Sequence, residues 1–552
     1  MPQQRLEQKT KLLKSLCSTI RERLDASDVE PIIKFVESYY GVSPIEELKE
    51  RSPENLYGAS LSCYAYLQEW KCEQRRLRVF NPSIEAHGWH CSHTVIQLSH
   101  QNMPFIVDSV RMELNRRGVG IHVVHSGVLQ VDSDSCQVTD PGSDSCVEIS
   151  LLYIEIDRTT DPQVLKQLQE GLFEVLDDLC AAVDDYEQML AQAQNLAAEL
   201  ETQSDEKSSE AALLLRWMCD NHFTFLGFDK VEYKRSKGEI HIERDAGTEL
   251  GIMRIYAPKG PKRLRTLSQE EAQFRTSESP IFFAKDYHRS RIHRPAYQDM
   301  VIVKARDKKG QVSGEYRFIG LYTSPVYVKA PWEIPVVRKR IEKIVAQSGF
   351  PHGGHAYKTL QQTFIEMPRD ELMLSTQDEL ALNVMGIFNL QERRKVRLLH
   401  RRDISGNFMA FLYYVPRDIF NTQLRSQVQR LLCERLGVED SEFTSYYSES
   451  VLTRVYFVLP SREGQFNDFD PQSLEEEVAA LSRSWDDELS GALLDFYGEE
   501  RGSRLASHYR QAFPAAYREH FNAGSAAADI EHLEQLRTGR DIALSFYRQI
   551  EQ

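Results

Sequence analysis

Long hydrophobic runs are missing from this 552-residue sequence. No stretch approaches the about twenty apolar residues of a membrane-spanning helix, and Met1-Pro-Gln-Gln-Arg lacks the apolar core of a signal peptide. No membrane association is expected, and the expected location is the cytoplasm. A basic excess is missing too. The formal net charge of -15 and a pI near 5.6 argue against a general nucleic-acid binder and against a protein held on an anionic membrane. Nine cysteines are scattered without a C-x-x-C pair, so neither a zinc ribbon nor a redox motif is indicated and reduced thiols are expected.

Catalytic motifs are absent as well. The sequence has no phosphate loop G-x-x-x-x-G-K-S/T, no H-E-x-x-H and no G-x-S-x-G. Gly118-Val-Gly120 looks like the start of a dinucleotide fingerprint, but that motif follows a strand and opens a helix, whereas these residues close a helix and open a strand. No catalytic residue, no metal ligand and no cofactor is assigned to the chain on this basis.

What is present gathers around Thr94 to Ile156. Val95 to Leu98 reads as a strand that stops at His100-Gln-Asn-Met-Pro104, and Ile106, Val110 and Leu114 recur every four positions in a helix from Phe105 to Arg117. Asp108, Arg111, Glu113 and Arg117 fall on its other side, and Gly118 ends it. Alternation over Ile121 to Val131 and Val147 to Tyr153 gives two antiparallel strands, and Asp161-Pro162 starts a helix carrying Leu165, Leu168, Leu172, Val175, Leu179 and Val183. The order is βαββα, an α+β unit with a ferredoxin-like order, and no fourth strand is visible after Val183.

The same order returns later. Val396 to His400, the turn Ser405-Gly-Asn407, Phe408 to Val415, a helix over Arg417 to Leu436, strands at Phe443 to Ser448 and Leu452 to Leu459, and an acidic helix Leu474 to Tyr497 form a second such unit without obvious sequence identity to the first. Between the two, Tyr186 to Glu210 suits a long exposed helix or spacer. His222 to Tyr233 turns back through Ser236-Lys-Gly238, Met300 to Arg306 and Glu315 to Leu321 pair through Lys308-Lys-Gly310, and Trp332 to Ser348 is helical. The basic group Lys71 to Arg78 reads as a solvated connector. The expected division is a helical segment over 1–75, a domain over 76–204, a further α+β unit over 205–390, a domain over 391–500 and a helical tail over 501–552.

Three groups of polar residues invite a chemical reading. His352-Gly-Gly-His355 is either a pair of ligands or a turn between helices. In His288-Arg-Ser-Arg-Ile-His-Arg294, near a strand start, Arg289, Arg291, His293 and Arg294 are candidates to hold a phosphate or carboxylate; the alternative is ion pairing with this acidic chain's own carboxylates. His93, His100, His122 and His125 cluster in the first unit, as candidates to sense pH or touch an anionic effector; alternation puts His122 on the face opposite Ile121 and Val123, where an exposed or interface histidine is expected.

The βαββα pattern resembles that of ACT domains. In that family the turn between the first strand and first helix receives a small effector such as an amino acid. By this resemblance the effector-binding candidates are Gln101, Asn102, Met103, Pro104 and Asp108, with Gln101, Asn102 and Pro104 standing where the family usually has an acidic residue and a glycine. An effector carboxylate would meet the helix start, Asn102 would donate to it and Asp108 would take the ammonium group; alternatively Asn102 caps the helix and Asp108 lies in solvent.

Wording adds a second resemblance. His93-Thr to Asp108-Ser-Val, Arg116-Arg-Gly118, His222-Phe-Thr-Phe-Leu-Gly227, Arg291-Ile-His-Arg-Pro-Ala-Tyr297 with Asp299, and Phe388-Asn-Leu-Gln-Glu-Arg-Arg394 resemble the N-terminal region of the large bacterial NAD-specific glutamate dehydrogenases. The resemblance implies ACT-like domains joined by helices, and NAD as cofactor of a full enzyme that deaminates glutamate to 2-oxoglutarate. It also implies a homo-oligomer and a catalytic domain that this sequence lacks. A free-standing ACT-type amino-acid sensor is the alternative.

Overall fold

The computed structural model describes residues 2–41, 43–49, 51–69, 75–140, 145–256, 265–390, 393–448, 450–461, 464–483, 485–539 and 542–544. It forms two compact units, Met1–Lys329 and Ala330–Gln552. The fold is α+β, with antiparallel sheets between helices. No helix among the described residues is long and apolar enough to cross a membrane.

The first unit opens with helices α1 (Pro2–Arg23), α2 (Ala26–Gly41), α3 (Ile45–Lys49) and α4 (Pro53–Gln68). Ser52 caps α4 by accepting from the Asn55 N–H, with Pro53 in the first turn. There follow β1 (Arg76–Phe80), α5 (Ile84–His87), β2 (Thr94–Gln101), α6 (Ile106–Arg116), β3 (Ile121–Asp132), β4 (Cys146–Ile156) and α7 (Pro162–Asp184). The antiparallel sheet runs β1-β2-β4-β3, with Thr94 opposite Ile156 and Val95 opposite Glu155. Its fourth strand comes before the βαββα order, not after it. Arg76 and Arg78, expected in a solvated connector, lie in β1. Their guanidiniums sit 4.8 and 4.7 Å from the Tyr66 ring centre, and Arg78 donates to Gln97 Oε1 at 2.7 Å. Long cationic stems lying on an aromatic ring made this edge strand read as a charged linker. Residues 71–74 of that connector lie outside the described residues.

Both faces of this sheet are covered. Ile96, Leu98, Leu152, Ile154 and Ile156 pack on Ile106, Val110 and Leu114 of α6 and on Leu168, Leu172 and Leu176 of α7. The alternate residues Val95, Leu129, Ile149, Leu151 and Tyr153 share a core with Ile20, Phe35, Tyr39 and Cys63 from α1, α2 and α4. The helical lead-in is thus a packed layer of the unit. Strand β4 is buried continuously from Ile149 to Ile156.

Two helices follow, α8 (Tyr186–Glu201) and α9 (Glu206–Trp217), so that residues 206–210, expected to end the first helix or spacer, instead open the second helix. Asp205 caps α9 through the Ser208 N–H, and α8 buries Met189, Ala193, Leu196, Ala197 and Leu200. Next come β5 (Phe223–Ser236), β6 (Glu239–Arg244), β7 (Leu250–Gly251), β8 (Arg265–Thr266), β9 (Ile281–Arg289), β10 (Tyr297–Arg306) and β11 (Val312–Tyr322). They form one antiparallel sheet, β8-β6-β5-β11-β10-β9, with β7 on β5. The expected turn at Lys237-Gly238 has positive φ at both residues, as a two-residue hairpin of this kind requires. Strand β9 was not anticipated: its buried run Ile281 to Lys285 lacks alternation.

In the second unit the helices Val337–Ser348, His355–Glu366, Arg369–Leu374 and Gln377–Leu390 precede β12 (Arg397–Arg402) and β13 (Phe408–Pro416). The helix Thr422–Leu436, β14 (Glu442–Tyr447), β15 (Leu452–Pro460) and the helix Pro471–Leu481 complete the second βαββα unit. Its sheet order, β12-β13-β15-β14, reproduces that of the first. Asn421 caps the helix at Leu424 N, so it begins later than Arg417. The acidic helix divides at Ser482–Arg483, and a second helix, Trp485–Tyr509, runs into a tail with its own core of Leu489, Leu493, Leu505 and Ile530. Residues 391, 392 and 545–552, within segments read above, lie outside the described residues.

Two predictions concern buried charge. His125 is 2% exposed, between the Tyr39 and Tyr40 rings and 3.1 Å from Ser43 Oγ. Burial, then the nearby Arg51 charge, push its pKa from 6.5 down to about 3. As pH falls below 6.5 the unfolded chain takes up a proton that the folded histidine refuses, so stability is lost at roughly 1.4 kcal/mol per pH unit. His125→Gln should flatten the melting temperature of this unit against pH below 6.5; an unchanged slope contradicts the assignment. In the second unit, buried Arg401 donates to Glu371 at 2.8 and 3.0 Å, and Tyr456 OH donates to the same carboxylate at 2.9 Å. Arg401→Met should destabilise this unit by about 3–5 kcal/mol in chemical denaturation, the charge of Glu371 being left unmatched.

Candidate effector site

The turn expected to receive an effector joins β2 to α6, and its geometry differs from the expectation. Helix α6 starts at Ile106, two residues beyond Pro104. Phe105 precedes it in the left-handed conformation (φ 68°), and no side chain caps it. Asn102 faces the sheet: its Nδ2 donates to Glu148 Oε2 at 3.0 Å and its Oδ1 accepts from Ser150 Oγ at 2.8 Å. It therefore does not cap the helix, because both ends of its amide are committed to β4. Gln101 and Pro104 are exposed, Met103 packs at the edge of the α6/α7 core, and Asp108 is exposed in the first turn of α6.

The loop between β9 and β10 meets this turn. His293, also left-handed (φ 69°), lays its ring 4.5 Å from that of Phe105 and directs its N–H toward Ser109 Oγ at 3.5 Å. Burial and then Arg294 lower the His293 pKa, with Asp108 acting against them. Two residues held at positive φ without being glycine therefore touch each other here, a conformation that persists only where surrounding structure enforces it.

The cationic residues of the loop point elsewhere. Arg291 approaches Glu174 at 3.2 Å, Asp178 at 3.7 Å and Glu113 at 3.8 Å, all on α6 and α7. Arg294 donates to Tyr322 O at 2.8 Å and Tyr327 OH at 3.2 Å, and Arg289 lies over the Tyr297 ring. Arg291 thus follows the ion-pairing reading, and the group spans the end of β9 and the loop that leads into the start of β10. Burial raises the Asp178 pKa, opposed by the Tyr256 hydroxyl, which donates to it at 2.6 Å, and by Arg291.

Glu113 is the main surprise in α6. It was placed on the outer side of the helix, yet it is 2% exposed, accepting from Arg116 at 2.7 and 2.8 Å and from Arg117 at 2.6 Å. Burial favours its neutral form, and the two arginines outweigh this and hold its pKa below the ordinary value. A Cβ at Gly171 of α7 would overlap the Arg117 guanidinium and the Glu113 carboxylate, so glycine lets the helices close over this pair. Arginines three and four residues after a glutamate were the available signal.

The four histidines of the first unit divide. His93 and His122 stack at 4.2 Å, with His93 Nδ1 2.8 Å from Glu155 Oε2 and exposed His122 2.8 Å from Asp157. His100 is buried against Cys180, and His125 lies under the N-terminal helices. His352 and His355 take the turn reading: His352 is exposed against Tyr357, and His355 opens a helix.

Known proteins share these elements. Residues 35–172 match the ACT1 domain of glutamate dehydrogenase, residues 334–393 its helical motif 1, residues 397–486 its ACT2 domain and residues 492–536 its helical motif 2. The chain is 38% identical over 558 residues to the NAD-specific glutamate dehydrogenase of Halomonas elongata, a match covering 99% of this chain and 35% of that protein. The chain belongs to the NAD-specific glutamate dehydrogenase family. It is 35% identical over 548 residues to the Pseudomonas aeruginosa member (97% of this chain, 34% of that protein) and 24% identical over 485 residues to the Mycobacterium tuberculosis member (83% and 28%). The chain spans about a third of the length of the curated relatives it matches. The glutamate dehydrogenase ACT1 match begins inside α2, so it takes in part of the helical layer along with the sheet.

The Arg291 contacts give a direct test. Arg291→Ala should destabilise this unit by roughly 1–2 kcal/mol, a value discounted for the partial exposure of the guanidinium. A double-mutant cycle with Asp178→Asn should show coupling of about 1 kcal/mol in thermal or chemical unfolding. Strict additivity would mean that Arg291 and Asp178 do not interact.

Proposed function

We propose that this chain is the regulatory and assembly part of an NAD-dependent glutamate dehydrogenase. The reaction, L-glutamate with NAD and water giving 2-oxoglutarate, ammonia and NADH, belongs in this reading to parts of the enzyme outside these residues, and NAD binds there. The observation that carries the proposal is the pair of sheets with the same strand order, each matched by an ACT domain model of the family. The division into 1–75, 76–204, 205–390, 391–500 and 501–552 is part of the same reading, as is a cytoplasmic location.

Two roles follow within it. One is assembly into a homo-oligomer. Strand β14 is an edge of the second sheet and leaves Phe443, Tyr446 and Tyr447 exposed, an apolar border of the kind that proteins pair or cover. The other is reception of a small amino acid at the β2–α6 turn. Its carboxylate would sit before the uncapped start of α6 and its ammonium group would meet Asp108, with His293 nearby and Gln101, Asn102, Met103 and Pro104 forming the rim. The candidates Arg289, Arg291 and Arg294 would act only at a distance, since Arg291 is held by the carboxylates of α6 and α7, Arg294 by the backbone of β11 and Arg289 by the Tyr297 ring.

Residues 1–552 incubated with glutamate and NAD should give no NADH; turnover would overturn the regulatory reading. Calorimetry with a panel of amino acids should find one that binds, with affinity reduced at least tenfold, about 1.4 kcal/mol, by Asp108→Asn. Absence of heat with every amino acid would remove the effector role and leave assembly.

A further inference from the structure

We propose that Cys91, His93 and Glu155 hold a divalent cation of the zinc class at the end of the first sheet. The three residues come from two places in the chain. Cys91 and His93 lie in the loop before β2, and Glu155 lies on β4, opposite Val95 in register. The sequence carries only the spacing Cys-x-His; the carboxylate 62 residues later is supplied by strand pairing.

The ligand atoms already converge. His93 Nδ1 is 2.8 Å and Cys91 Sγ 3.4 Å from Glu155 Oε2, and the three atoms all lie within 4.8 Å of one another. Bonds of about 2.0–2.3 Å in a tetrahedron separate ligand atoms by roughly 3.3–3.8 Å, so small side-chain rotations suffice. The supports of the group are those of a built site. Tyr153 OH donates to Glu155 Oε1 at 3.0 Å and Arg51 stands 3.6 Å from the same oxygen, leaving Oε2 turned toward the cysteine and histidine. Arg158 donates to the Cys91 carbonyl at 2.9 Å and fixes the loop. Cys91 and Glu155 are buried, while the His93 side chain is 31% exposed, so solvent reaches one side, where water would complete the coordination.

Charge and softness select the cation. A thiolate and a carboxylate against Arg51 leave one net negative charge for a divalent ion, and Asp157, bonded to the His122 that stacks on His93, adds another nearby. A cysteine sulfur and an imidazole nitrogen suit a thiophilic ion, whereas calcium and magnesium take oxygen ligands and are excluded on this ground. The simpler arrangement is a Glu155 carboxylate shared by Arg51 and His93 with Cys91 as a thiol donor, and the experiment separates the two.

The whole chain, stripped with a chelator, is titrated with Co2+ and then Zn2+. The expected result is uptake of one equivalent of Co2+ with a thiolate-to-cobalt band in the near ultraviolet and visible bands of tetrahedral intensity, both removed by Zn2+. Cys91→Ser should abolish the charge-transfer band. His93→Gln, at a partly exposed position that spares the fold, should weaken binding at least tenfold, and Cys433→Ser should change neither. No stoichiometric uptake, or uptake with the same spectrum and affinity in both Cys91→Ser and His93→Gln, overturns the proposal. This result is independent of amino-acid binding at the β2–α6 turn.

Discussion

A sheet covered on both faces has no wet side on which to leave its polar residues, and this constraint shapes both ACT-type units. The central strand β4 sends Leu152, Ile154 and Ile156 to one core and Ile149, Leu151 and Tyr153 to the other. Any ionisable residue on such a strand must bring its partner with it, since an unpaired buried charge costs several kcal/mol. Glu155 is matched by Arg51, which precedes α4 and lies 4.4 Å over the Tyr153 ring. The second unit repeats the solution: Glu371, on the helix Arg369–Leu374, meets Arg401 of β12 and the hydroxyl of Tyr456 on β15. In both units a tyrosine of the third strand of the order donates to the buried carboxylate. The repeat therefore extends beyond strand order to the way a helical layer is fastened to the sheet.

Periodicity made much of this legible and also marks where legibility stops. Ile106, Val110 and Leu114 on α6 and the leucines of α7 face one core as their spacing demands. Hairpins at Lys237-Gly238 and Gly310 follow from turn chemistry alone. Strand β1 was hidden because two of its five residues are Arg76 and Arg78, whose role depends on Tyr66 across the fold. Strand β9 was hidden because a run buried on both faces does not alternate. Glu113 looked like a surface residue because, beyond the arginines that follow it, nothing local reveals that Arg291 will arrive from elsewhere in the chain.

The candidate site shows the same division between local and distant information. Two stretches singled out separately, Gln101–Asp108 and Arg289–Arg294, come together through Phe105 and His293, two residues with no charge between them when the histidine is neutral. The cations that drew attention to the second stretch turn away, Arg291 to α7 and Arg294 to the backbone of β11. The groups nearest the turn are instead Asp108, Ser109 and the His293 ring. Recognition at this place would accordingly rest on shape, backbone N–H groups and a single carboxylate, with little direct contribution from arginine.

The helical layer on the first sheet also bears on how the protein can be dissected. A fragment beginning at Arg76 would keep every strand of the sheet and both helices α6 and α7, and so would look complete on a topology diagram. It would nevertheless lay Val95, Leu129, Val131, Ile149, Leu151 and Tyr153 bare to water as one continuous stripe. Soluble monomers rarely tolerate apolar patches larger than a few hundred Å². The smallest piece of this region suited to expression and study therefore starts with α1.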